Sequence, residues 1–89
     1  MNAIFNVDAA LRFAKVLEEE SQEVKAHNAA VGRSLVELQT SWRDKKYDAF
    51  VRTFDDSTLR LAKFLEQCDR YSDYLRKKAT IVQQGYLND

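Results

Sequence analysis

Proline is absent from the sequence, and glycine occurs only twice, as Gly32 and Gly85. Strands and hairpins need turn residues about every ten positions, so this scarcity argues against a sandwich, a barrel or a βαβ unit. Cysteine and histidine occur once each, at Cys68 and His27. One chain can therefore form no internal disulfide and cannot assemble the usual zinc ligand sets, so no metal and no cofactor is expected. No sign of charge dominates, with 14 Lys and Arg against 14 Asp and Glu. A protein that lives on phosphate contacts is normally basic, which argues against nucleic acid as a partner. No apolar run approaches the roughly 20 residues of a membrane span. The first residues, MNAIFNVDAALRF, lack a basic segment followed by an apolar stretch, so no cleavable signal peptide is expected. At 89 residues, a single domain over 1–89 is expected.

What the chain does have is a seven-residue apolar repeat. In the first half, one series runs Val7, Ala14, Ser21, Asn28, Leu35, Trp42, and a second runs Ala10, Leu17, Val24, Val31, Leu38. In the second half the series are Tyr47, Phe54, Leu61, Cys68, Leu75, Val82 and Phe50, Ser57, Phe64, Tyr71, Lys78. Alternating steps of three and four residues put each pair of series on one helix face. The repeat is sustained over several heptads without a skip, which means long helices.

The helix ends are marked as well. Asn6 and Asp8 both suit the N-cap of the first helix. Ser41 and Asp44 have capping-box spacing, and Asp44 alone suits the cap of the second helix. The expected helices are 7–41 and 45–84, with the tip at 42–44. So short a connection makes them an antiparallel, all-α hairpin. Folding about the tip sets Leu35 level with Phe54, Asn28 with Leu61, Ser21 with Cys68 and Ala14 with Leu75.

Two rods bury less than a globule of the same length. The second helix carries a further stripe, Val51, Thr58, Leu65, Ala79 and Tyr86, to one side of its second series. Leu11 and Phe13 add apolar surface near the open end. Val51, Leu65, Tyr86, Phe13 and Leu11 are therefore the expected interface to another chain. A second hairpin, identical or similar, would close a four-helix bundle.

The tryptophan near mid-chain, the aromatic eight residues later (Trp42 to Phe50), Leu35 and Leu38 before it, and the run Tyr47-Asp48-Ala49-Phe50 with Phe54 after it resemble the WXG family. These are the helical hairpins of bacterial type VII secretion that include the early secreted antigenic target proteins. The resemblance covers nearly the whole chain and marks Trp42, Asp44 and Phe50 as the turn motif. It implies a small substrate, or the partner that escorts a larger one such as a toxin. Such a protein is cytoplasmic before export and leaves the cell without a cleavable signal. Two features depart from the family. Its Trp-Xaa-Gly reads Trp42-Arg43-Asp44 here, and Asp tolerates the left-handed region better than most residues. Its export signal, a tyrosine followed four residues later by an acid, is missing: Leu75 follows Tyr71 and Lys78 follows Tyr74 at that spacing, and Tyr86 to Asp89 falls one residue short. The alternative is a cytosolic coiled-coil adaptor or chaperone unrelated to secretion.

Individual residues have structural roles to hand. Trp42 suits a plug over the tip, with recognition of a partner or secretion component as the alternative. Asn28 in the seam suits a polar layer that sets register, and His27 beside it suits the flank of an interface. Cys68 suits a small buried hydrophobe. Glu18-Glu19-Glu20 and Arg76-Lys77-Lys78 suit solvated faces. No acid–base pair converges and no nucleophile has an activating neighbour by spacing, so no enzymatic activity is expected.

Overall fold

The computed structural model describes residues 4–85. Helix α1 spans Val7–Leu38 and helix α2 spans Lys45–Gln83. They pack against each other as a hairpin measuring 61 × 19 × 16 Å, and no strand occurs among the described residues. The heptad repeat thus forms the all-α hairpin expected of it.

Helix α1 begins at Asn6, whose side-chain oxygen accepts the Ala9 N–H at 2.9 Å. Asp8, the other cap candidate, lies in the first turn, where its charge faces the positive end of the helix dipole. The helix stops at Leu38, short of the expected residue 41. There the hydrogen bonding tightens: Gln39, Thr40 and Ser41 donate three residues back, to Val36, Glu37 and Leu38. The hydroxyls of Thr40 and Ser41 also donate to the Glu37 and Leu38 carbonyls, adding a further bond to each. Ser41 therefore closes α1 and is not half of a capping box for α2. Asp44 caps α2 alone, its carboxylate accepting the Tyr47 N–H at 2.9 Å. Gly85, at φ 80°, ends α2 in the left-handed conformation, with its N–H on the Val82 carbonyl.

The first series of each helix lies in the seam as expected. Ala14, Ser21, Leu35, Tyr47 and Cys68 are buried, and Asn28, Phe54, Leu61, Leu75 and Val82 are half-buried. Cross-seam contacts stay within about one turn of the expected levels. Asn28 Nδ2 donates to Thr58 Oγ1 at 3.1 Å, and Ser72 Oγ donates to the Ala14 carbonyl at 3.3 Å. Gly32 lies against the Phe54 ring, where an added Cβ would meet the ring at 3.4 Å.

The second series of α2 departs from expectation. Phe50, Ser57, Phe64 and Tyr71 are exposed, and the seam is completed by the other flank, with Leu65, Ser72 and Ala79 buried and Val51 and Thr58 half-buried. Side-chain size explains the choice. Thr58, Ser72 and Ala79 let the backbones approach, close enough for a Ser72 hydroxyl to reach an α1 carbonyl. Phe50, Phe64 and Tyr71 in the same place would hold the helices apart. On α1 the seam changes flank along its length. Ala10 and Leu17 are half-buried near the open end and Gly32 near the tip, while Val24, Val31 and Leu38 are exposed.

Candidate interaction surface

The tip is a closed set of contacts. The Trp42 and Tyr47 rings meet edge to face, with centroids 5.3 Å apart at 77°. The Tyr47 hydroxyl crosses to the Leu35 carbonyl at 2.8 Å. The Tyr47 N–H and the Trp42 side chain both donate to Asp44, which holds its carboxyl below the usual carboxylate range; partial desolvation opposes them and the Lys46 N–H adds to them. Of the expected turn motif, the structure joins Trp42 and Asp44. Phe50 stands apart, with 47% of its surface exposed. Asp44 has φ −129° and ψ −176°, extended backbone that any residue adopts. No described residue other than Gly85 has positive φ. Asp44 thus serves as a helix cap, and the left-handed conformation is not needed there.

The expected interface is corrected by the seam. Leu65 is 4% exposed and Val51 half-buried, both within the hairpin, so neither is surplus surface. Tyr86 lies outside the described residues. Leu11 and Phe13 are exposed.

Most of the exposed large apolar residues gather on the opposite side, Leu11 not among them. Each residue turns an α-helix by about 100°, so positions three and four after the shared series fall on opposite flanks. In two antiparallel helices whose shared series face each other, the +3 flanks lie on the same side. That side carries Val24, Val31 and Leu38 from α1 and Phe50, Phe64 and Tyr71 from α2. Phe13 and Tyr74, one residue before the shared series, extend it toward the open end. Phe13, Phe64, Tyr71 and Tyr74 are each more than half exposed. These residues were legible as a heptad series but not as a surface, because apolar residues flank the shared series of α2 on both sides.

The other side is more polar, with Leu11, Val36 and Leu59 as exposed large apolar residues, and two ion pairs join the helices across it. Lys25 meets Asp69 at 3.9 Å, and Arg76 meets Glu18 at 3.2 Å. Asn28 and Thr58 lie between Lys25, Leu61 and Asp69 in a shallow groove. On the aromatic side, His27 pairs with Glu23 at 3.6 Å along the outer edge of α1; Cys68 is buried. Among the described residues no three His, Cys, Asp or Glu side chains come together as a metal site. No helix there is long and apolar enough to cross a membrane.

Comparison of the chain with family models, curated proteins and solved structures finds no match.

Proposed function

We propose that this chain is a non-enzymatic interaction protein that associates with a second helical hairpin through its aromatic face, closing a four-helix bundle. One observation carries the proposal. Of the eight buried residues among those described, only Leu35, Tyr47 and Leu65 are large, the others being Ala14, Ser21, Cys68, Ser72 and Ala79, whereas Phe13, Phe64, Tyr71 and Tyr74 remain more than half exposed along one side. A row of exposed large apolar side chains along one side of a hairpin marks an interaction site. Covering it adds large aromatic side chains to the few that the seam buries.

The biological setting we propose is type VII or related secretion, with the chain as a small exported factor or the escort of a larger substrate such as a toxin. The support is the resemblance of the Trp42 to Phe50 segment, together with the hairpin fold. A cytosolic adaptor is the second proposal. It is favoured by Leu75 and Lys78 standing where an acid would follow Tyr71 and Tyr74. Production of the chain in a bacterium with an active type VII machine, with and without the machine's membrane ATPase, tests the setting. Appearance in the medium only when the ATPase is present is the expected result. Retention in the cytosol of both strains would overturn export and leave the adaptor.

A further inference from the structure

The aromatic face is bordered by opposite charges on its two edges. The outer edge of α1 on that side carries Glu20, Glu23 and Glu37 and, between Phe13 and Glu37, no Lys or Arg. The outer edge of α2 on the same side carries Lys46, Arg60, Lys63, Arg70 and Lys77, with Asp56 as its acid. All of these side chains are exposed. Glu23 and Arg70 make pairs along their own helices, with His27 and Glu66, and these pairs lie at the surface.

From this pattern we infer that the occupant of the face is a second copy of the chain, related by a two-fold axis along the length of the hairpin, with both tips at the same end. The inference rests on the proposed association through the aromatic face and specifies its partner and orientation. Such an axis lays α1 of one copy antiparallel against α2 of the other. The acidic edge of each copy then borders the basic edge of its partner. Glu20 and Glu23 come level with Lys63 and Arg70, because the two helices of one hairpin are themselves in register there. The other face-to-face arrangement has its axis across the hairpin and the tips at opposite ends. It sets α1 on α1 and α2 on α2, acid against acid and base against base. Complementary edges fix orientation even where each exposed pair adds little affinity. The chain's balance of 14 acidic and 14 basic side chains leaves no net repulsion between copies.

The test is a distance between the tips. A spin label at Ser41→Cys, in a Cys68→Ala background checked for helicity by circular dichroism, is measured by pulsed electron resonance above the association midpoint. Tips at one end place the labels within about 30 Å, since packed helices lie only about 10 Å apart. Distances near the 61 Å length of the hairpin would overturn the orientation while leaving self-association standing. Absence of any dipolar signal, with a monomer in sedimentation, would overturn self-association as well. A companion variant needs no label. E20K/E23K should weaken the dimer at least tenfold at low salt, and adding K63E/R70E on the same chain should restore it. No weakening, or no restoration, would contradict the arrangement.

Discussion

The phenol of Tyr47 donates to the Leu35 carbonyl at 2.8 Å, tying the first turn of α2 to the last turns of α1. The same ring supports Trp42 edge-on, so one side chain organises the tip. Tyr47→Phe keeps the ring and leaves a buried carbonyl without its donor, which should cost about 1–2 kcal/mol. Trp42→Ala removes a half-buried indole and should cost about 2–3 kcal/mol, less than for a fully buried one. Urea unfolding followed by circular dichroism measures both. A stabilised Trp42→Ala protein would show that the indole is held for recognition instead.

Asp44 gives the tip a pH dependence of known sign. Its folded carboxyl titrates below its ordinary value of 3.8, so its contribution is complete above that value. The contribution is lost as pH falls through the lower, folded value. Thermal melts between pH 6 and pH 2 should show a smaller acid-induced loss for Asp44→Asn than for the wild type, because Asn caps a helix without titrating. Asp44→Ala should be destabilised already at neutral pH. An equal acid loss in wild type and Asp44→Asn would remove Asp44 from the account.

Asn28 reaches Thr58 of its own chain, so its polar contact is spent inside the hairpin. Asn28→Leu should raise stability by about 1 kcal/mol through added apolar burial, with Thr58 free to turn its hydroxyl to its own helix. The oligomeric state should not change, since Asn28 does not lie on the aromatic face. Melts combined with sedimentation check both halves of this expectation.

Gly32 lies inside α1, where glycine is about 1 kcal/mol worse than alanine. The Cβ of Gly32→Ala would rest 3.4 Å from the Phe54 ring, a contact that a small ring shift relieves. Gly32→Ala should therefore stabilise the hairpin by about 0.5–1 kcal/mol in urea unfolding. A loss of stability would mean that Phe54 is held too firmly to give way.

Much of this was legible in the sequence because the series from Tyr47 to Val82 and from Val7 to Trp42 never skip a heptad, and because Asn6 and Asp44 stand where caps belong. The flank was not legible from apolarity, since Phe50, Phe64 and Tyr71 lie on one side of the α2 series and Val51 and Leu65 on the other. Two other signals distinguish them. Thr58, Ser72 and Ala79 make one flank small enough for close packing, and Lys25 with Asp69 and Glu18 with Arg76 place opposite charges across that same flank. Ser41 was misleading for a different reason: its hydroxyl serves the helix it ends as readily as the helix that follows.

Association through the aromatic face is what we propose for this chain. Sedimentation equilibrium at micromolar concentration tests it most directly, comparing the wild type with the double variant Phe64→Ser and Tyr71→Ser. Each fully buried side chain of this size contributes about 1.5–3 kcal/mol, so the double variant should associate at least a hundredfold more weakly. It should keep its helical circular dichroism, because both residues lie outside the seam. The wild type should sediment at twice its 10.4 kDa chain mass. A wild type that stays a stable, fully helical monomer across the range, or a double variant that associates as tightly as the wild type, would contradict the account.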